Sequence, residues 1–335
     1  MGESARKAIR KVLEVLPIKT LMPWVIFISI LYLIISILGS GSSNSDTDIL
    51  DVALSQGKSM GGDHPKVIQA FVYIAMGAMA KESLTEYSIA SLRKVGEWKG
   101  KIYILTDNPS CFTQAIKAFD VVPAKVPVSK ASNLMEIKSL KATLFEYLPI
   151  EINSVIYLDV DIMIQRSVGH FLMDIGHSLT KMEKINGANS FDIGAFPDAQ
   201  GHYLGFCSGC EKWHTGVLLT KRNSGNKCLN NWKHIISSGK YDTDQESLDE
   251  AEANGSCKNT LTMPPSYLLF AKDYIGMALT NGHTFLHVTA AGRPEQQGFF
   301  YKNIIMPNLR GKLEKEEDLK SIEKSPQCIN AKIGK

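Results

Sequence analysis

The 335-residue chain carries 37 Lys and Arg against 34 Asp and Glu, with 44% hydrophobic residues, 26 Gly and 13 Pro. That balance excludes a collagen-like chain, a disulfide-stapled mini-protein and a wholly disordered one, and leaves room for one large core or two modest ones. The positive excess is local: within residues 1–20, Arg6, Lys7, Arg10, Lys11 and Lys19 face only Glu3 and Glu14, and the rest of the chain is balanced. A nucleic-acid binder carries its basic excess on the folded part, so that partner is excluded.

No charged residue falls between Thr20 and Ser45, and Leu21–Leu38 is almost continuously apolar. Spanning a bilayer takes roughly 20 such residues. Basic residues precede the run and none follows it closely, so the positive-inside rule keeps residues 1–20 cytosolic, with a transmembrane anchor over 21–39. The remainder is then lumenal in the Golgi or ER, a single-pass type II arrangement. A cleaved signal peptide is the rival, but its apolar core spans only about 7–15 residues. Arg6 stands where a myristoylation signal wants Ser or Thr. Residues 40–66, rich in Gly, Ser and Asp, read as a flexible stem.

From there the expected elements alternate. Val67–Ala75 is a buried-strand run, and Glu82–Lys94 carries a helical stripe of Leu84, Tyr87, Ile89 and Leu92. Lys101–Leu105 is a second strand closed by the turn residues Thr106–Pro109. Met135–Tyr147 reads as a helix stopped by Leu148-Pro149, Ser154–Leu158 as a third strand, and Gly216–Thr220 as a further apolar run. Alternation of this kind implies an α/β domain, over about 67–310, with mostly parallel strands and helices on both faces. The charged tail, 311–335, reads as surface helix or disorder.

Six cysteines, Cys111, Cys207, Cys210, Cys228, Cys257 and Cys328, suit an oxidising lumen. Cys207 and Cys210 form a CxxC, but zinc wants a second close pair, and Cys228 and Cys257 stand far apart. Disulfides within 207–257 are expected, their pairing open. Asn254-Gly255-Ser256 is a glycosylation sequon, usable in a lumen.

The sharpest chemical feature is Tyr157-Leu158-Asp159-Val160-Asp161. In an extended chain residues i and i+2 face the same way, so Asp159 and Asp161 present paired carboxylates with Val160 turned aside. The carboxyl end of a strand is where α/β sheets bind ligands. Paired carboxylates are costly to bury unless a cation such as Mg²⁺ or Mn²⁺ neutralises them. An acidic helix-capping turn is the alternative.

The run Ser154–Ile164 resembles the strand-plus-DxD element of GT-A fold glycosyltransferases, above all family 8, the glycogenin-like enzymes. Other pieces follow in the family's order. Ala70–Gly77 is similar to its first strand and nucleotide-facing loop, Ile102–Asp107 to its second strand, and Ile137–Pro149 to its pre-DxD helix. Trp213–Leu219, Asp244-Gln245 and His287–Pro294 resemble its later segments. The similarity spans about 67–300. His214 replaces the family's usual Asn, Arg293 its Lys, and Val288 its Phe, and the final Trp is absent.

The resemblance implies a Rossmann-like GT-A fold and sugar transfer, with retention, from a UDP-linked donor to a glycan, lipid or protein acceptor. It implies that Asp159, Asp161 and His287 hold a divalent ion acting as Lewis acid, with the imidazole favouring Mn²⁺ over Mg²⁺. Lys138 and Arg293 would pair with phosphate. Ile74, Ala75, Met76 and Val160 would line the nucleotide site, and Asp244 and Gln245 would be catalytic, positioning the sugar. Taken without the family, His287 reads as a core histidine, Lys138 and Lys141 as a solvated lysine face, and Asp244-Gln245 as a helix start capped by Thr243 or Asp244. Trp213 fits core packing, and His202 and Tyr203 fit acceptor contact or plain surface.

A haloacid-dehalogenase phosphatase would need its nucleophile near the domain start and Thr or Val where Met163 stands. A nucleotidyltransferase would need a Gly-rich phosphate loop. The remaining rival is a lumenal nucleotide- or glycan-binding domain of the same fold without turnover.

Overall fold

The computed structural model describes residues 68–81, 84–127, 133–186, 191–198, 212–223, 225–270, 283–288 and 328. The chain divides into two units, Met1–Pro65 and Lys66–Lys335, and every described residue belongs to the second. The expected anchor and stem lie outside the described residues. Among those described, no helix is long and apolar enough to cross a membrane.

The architecture is mixed α/β. A seven-stranded sheet has the order β3-β2-β1-β4-β7-β6-β8. Its strands are β1 (Ala70–Ile74), β2 (Lys101–Thr106), β3 (Val121–Lys125), β4 (Ser154–Leu158), β6 (Ile193–Pro197), β7 (Trp213–Lys221) and β8 (Thr260–Thr262). Pairing is parallel from β3 through β2 and β1 to β4, and between β6 and β8; β7 alone runs against its two neighbours. β1 and β4 are buried along their whole length, as their β-branched and aromatic runs AFVYI and SVIYL suggest for strands covered on both faces.

Period-two alternation divides those side chains between two cores. Phe71, Tyr73, Ile156 and Leu158 face one layer. It holds Ile89 and Leu92 of the helix Leu84–Lys94 (α2, after the single turn α1, Ala78–Lys81), Phe119 of α3 (Thr113–Phe119), and Phe171 and Ile175 of α5 (Gly169–Asn186). Val72, Ile74, Val155 and Tyr157 face the other, with Leu140 of α4 (Leu134–Thr143), Trp232 of α6 (Asn226–Ser237) and Leu248 of α7 (Asp244–Ala253). Helices thus cover both faces.

Several expectations need correcting in detail. The helix expected over Met135–Tyr147 is α-helical only from Leu134 to Thr143 and tightens into a 3₁₀ turn at Leu144–Glu146. Its start is fixed by Asn133, whose side chain accepts from the Glu136 amide, and its end tightens ahead of Pro149. The run at Gly216–Thr220 is the middle of the longer strand β7. Cys228 and Cys257 are joined, within the expected region, but Cys111 and Cys328 form a second disulfide that spacing did not suggest. Cys207 and Cys210 lie outside the described residues.

A second sheet positions the site. It pairs β5 (Ile162–Ile164), β10 (Phe285–His287) and β9 (Leu268–Phe270) in the order β5-β10-β9. β10 runs antiparallel to β5 with His287 opposite Ile162. Two buried serines of α2 hold β5: Ser88 Oγ donates to the Ile162 carbonyl, and Ser91 Oγ accepts from the Ile164 amide at 2.9 Å.

Candidate active site

The chain leaves the main sheet at the end of β4 and enters the small sheet at β5, and Asp159–Asp161 form the crossing. The Ile162 amide donates back to the Asp159 carbonyl at 3.1 Å, closing a tight turn. The Asp159 amide donates to the Gly216 carbonyl of β7 at 2.8 Å, and the Val288 amide to the Asp161 carbonyl at 2.9 Å. Register therefore delivers His287, distant in sequence, to the acidic pair. Its Nε2 lies 3.2 Å from Asp161 Oδ2, and one ligand atom from each of Asp159, Asp161 and His287 lies within 4.8 Å of the others.

A buried ion network backs this triad. Lys141, on α4, is 5% exposed; its Nζ lies 3.0 Å from Asp159 Oδ1 and 2.8 Å from Asp244 Oδ2, and donates to the Thr215 carbonyl at 3.1 Å. Lys138, one helical turn earlier, lies 3.1 Å from Asp244 Oδ1. Thr215 Oγ1 donates to Asp244 Oδ2 at 2.7 Å, and the Tyr157 hydroxyl donates to Asp159 Oδ1. Asp244 begins α7 behind a capping box in which Thr243 and Glu246 satisfy each other's backbone amides. The indole of Trp232 donates to the Asp244 carbonyl at 3.0 Å.

β7 supplies the remaining wall. Its pairing to β6 jumps from Leu218 opposite Ala195 to His214 opposite Phe196, so Thr215, Gly216 and Val217 bulge past β6 beside the acidic pair. A Cβ on Gly216 would sit 2.5 Å from His214 Cε1 and 3.0 Å from Asp159 Oδ2, so this position admits no side chain. His214 is buried, and its Nε2 lies 2.9 Å from His287 Nδ1.

The charges follow from these contacts. Burial pushes the Lys141 ammonium down, but Asp159 and Asp244 overcome it and hold the group above the usual lysine range. Burial raises Asp244, yet Lys141 and Lys138 keep it well below the usual carboxylate range. Asp161 behaves similarly, burial being outweighed by His287, whereas burial dominates at Asp159 and raises it despite Lys141. His287, opposed by burial, is lifted by Asp161 and then Asp159. Burial, then the adjacent His287, drives His214 far down, so it is neutral; burial and Asp159 drive Tyr157 far up, so it remains a donor.

Two carboxylates and an imidazole converging on one spot fit a divalent cation. Asp159 also fits in detail, since Lys141 and Tyr157 both engage its Oδ1 and leave Oδ2 on the Gly216 side. The partly open side chains, 27% exposed at Asp159 and 20% at Asp161, leave approach from solvent.

The other candidates are placed as follows. Ile74, Ala75 and Met76 are buried at and beyond the end of β1, where the Ala75 amide donates to the Leu105 carbonyl at 2.9 Å. Next to them Gly77, at φ +55°, donates its amide to Asp107 Oδ1 at 3.1 Å. Val160 is half-buried and packs against the core layer that holds Phe71 and Leu158. Gln245 is half-exposed in the first turn of α7. Both carboxylate oxygens of Asp244 are engaged by the two lysines and Thr215. A solvated lysine face is therefore the wrong description of Lys138 and Lys141, because α4 turns both towards Asp244. Trp213 is buried and donates its indole N–H to Glu252 at 2.8 Å. Arg293, His202 and Tyr203 lie outside the described residues. Site residues that the sequence does not single out are Tyr157, Thr215 and Gly216, and Lys141 is one that the sequence assigns to a solvated face. A lysine inside a helix stripe between Leu140 and Ala142 was the available signal.

No family model matches the chain, and no curated protein sequence matches it. Solved structures similar to it include glycosyltransferases. A galactosyltransferase, LgtC, in complex with donor and acceptor sugar analogs shares 14% identity at a TM-score of 0.48, over 76% of this chain and 100% of that one. Mouse xyloside xylosyltransferase 1 shares 12% at 0.45, over 68% and 99%. The Streptococcus pneumoniae glycosyltransferase GlyE shares 14% at 0.48, over 73% and 64%.

Proposed function

We propose that the chain is a metal-dependent glycosyltransferase of the GT-A fold that moves a sugar, with retention, from a UDP-linked donor to a hydroxyl acceptor. The observation that carries this reading is the arrival of His287 at the Asp159–Asp161 pair, at the carboxyl end of a parallel strand. Departure of a nucleoside diphosphate builds negative charge, so a site for it needs preorganised positive charge. Asp159, Asp161 and His287 would hold a divalent ion, Mn²⁺ by its imidazole ligand, which supplies Lewis-acid charge at the diphosphate. Lys138, 21% exposed at its side chain, is the ammonium able to turn towards phosphate, while Lys141 holds Asp159 and Asp244 in place. Asp244 then acts through the lysines, and Gln245, half-exposed beside it, is the side chain offered to sugar hydroxyls. Arg293 completes the phosphate contacts in this reading.

The same proposal places the domain in the lumen of the Golgi or ER, anchored by residues 21–39. Two disulfides support an oxidising compartment. The test uses purified full-length chain in detergent, a panel of UDP-sugars and Mn²⁺, with free UDP as readout. Release that stops on chelation is expected. Nucleotide binding without release from any donor would overturn the transferase and leave a binding domain.

A further inference from the structure

The sequon Asn254-Gly255-Ser256 lies outside the site described above, and its geometry is that of an acceptor. Asn254 ends α7 as its C-cap and is exposed. Gly255 follows with φ +77°, the left-handed conformation that ends the helix. The Ser256 amide donates to Asn254 Oδ1 at 3.1 Å, forming an Asx turn, and Asn231 Nδ2 donates to the same oxygen at 3.4 Å. Both of these bonds engage the carbonyl oxygen of the exposed Asn254 side chain and leave its amide nitrogen out of them.

The fold accounts for part of this turn and not for the rest. An Asn-Gly pair is an ordinary helix ending, with Gly255 supplying the left-handed backbone. The turn is further closed by the Ser256 and Cys257 amides, both donating to the Ala251 carbonyl at 3.0 Å, and by the Cys228–Cys257 disulfide. None of this requires a hydroxyl at 256. The Ser256 side chain makes no hydrogen bond to the described residues, whereas an N-glycosylation acceptor needs a hydroxyl two positions after its Asn.

We propose that Asn254 carries an N-linked glycan. Its Nδ2 displaces a lipid diphosphate from C1 of a lipid-linked oligosaccharide. The N–C1 bond forms, the C1–O bond to the diphosphate breaks with its electron pair leaving on that oxygen, and one amide proton passes to a base of the transferring enzyme. The point of attachment is set apart from the candidate active site by the length of α7. Asp244 opens α7 and Asn254 closes it, and ten residues at 1.5 Å each separate them by about 15 Å. The inference rests on the lumenal placement proposed above, but not on sugar transfer by this chain.

The test expresses the full chain in eukaryotic cells and follows its electrophoretic mobility before and after removal of N-glycans by an endoglycosidase. One mobility step lost on digestion is expected, absent in Asn254→Gln and in Ser256→Ala and retained in Ser256→Thr. Asn254→Gln should release UDP at the wild-type rate. Thiol alkylation before reduction reads the compartment separately. Protected cysteines with no glycan would overturn the modified site while leaving the lumenal placement intact, and freely alkylated cysteines with no glycan would overturn both. Neither result touches UDP release, so the transferase reading is judged independently.

Discussion

Replacing Lys141 with Met removes the cation that joins the two halves of the site. The Lys141 side chain is 7% exposed and makes ion pairs of 3.0 and 2.8 Å with Asp159 and Asp244. Without it Asp244 keeps Lys138 at 3.1 Å, but Asp159 keeps only the Tyr157 hydroxyl among the contacts to Oδ1. Breaking a buried pair from one side costs roughly 3–5 kcal/mol, because the abandoned charge stays desolvated. Asp159 is 27% exposed and can recover some hydration, so the lower end applies, about 3 kcal/mol. For a unit of this size that is a fall in Tm of roughly 6–12 °C. Calorimetry with parallel guanidinium titrations measures it. The double variant Lys141→Met/Asp159→Asn should recover part of the loss, since it removes the carboxylate left without an ammonium partner; a coupling above about 0.5 kcal/mol is expected. A loss below about 1 kcal/mol in the single variant, typical of surface positions, would refute the buried-network reasoning.

Three further outcomes are expected. Cys328→Ser opens a loop of 217 residues and Cys257→Ser one of 29, so chain entropy puts the losses at roughly 5 and 3.5 kcal/mol; guanidinium midpoints should rank the variants in that order. The depressed pKa of Asp244 gives stability that is fully present above the ordinary value of 3.8 and is lost as pH falls through the lower folded value. The Tm gap between wild type and Asp244→Asn should therefore be constant from neutrality to about pH 4 and close below it, and a gap unchanged at pH 2 would refute the assignment. His214→Phe removes the nitrogen 2.9 Å from His287 Nδ1 and should weaken Mn²⁺ binding by about 10–100-fold in titrations followed by electron paramagnetic resonance, with UDP-independent Tm nearly unchanged.

Legibility in the sequence tracked the range of the interaction involved. β4 falls where its apolar run does, at Ser154–Leu158, and Thr243 caps α7, because both features are decided by neighbours within a few residues. The small sheet was invisible: β5 and β10 are each three residues long, shorter than any window that shows a period of two. β3 was hidden by Pro123, which is tolerated because β3 is the edge strand of its sheet. The acidic pair could be read from its place just past the apolar run of β4, but Asp159–Asp161 form a turn and not the extended segment expected from their spacing. The partner that neutralises them could not, since Lys138 and Lys141 present the same helical spacing whether they face solvent or Asp244.

The order of charges in the site explains why neither sheet suffices alone. From the main-sheet side run Lys138, Asp244, Lys141 and Asp159, each carboxylate placed between or against ammonium groups within 3.1 Å. That alternation ends at Asp159. Asp161, reached two residues later as the chain turns into the small sheet, has no ammonium group at ion-pair distance among the described residues and is paired with the His287 imidazole at 3.2 Å. The alternating row is therefore closed at its lysine end and open at its aspartate end, where Gly216 leaves space and the carboxylates remain partly exposed. A cation arriving from solvent would be drawn to that open end, because the rest of the row already has its charge answered. The lysines make the acidic pair affordable to fold, and the small sheet makes it a place to bind.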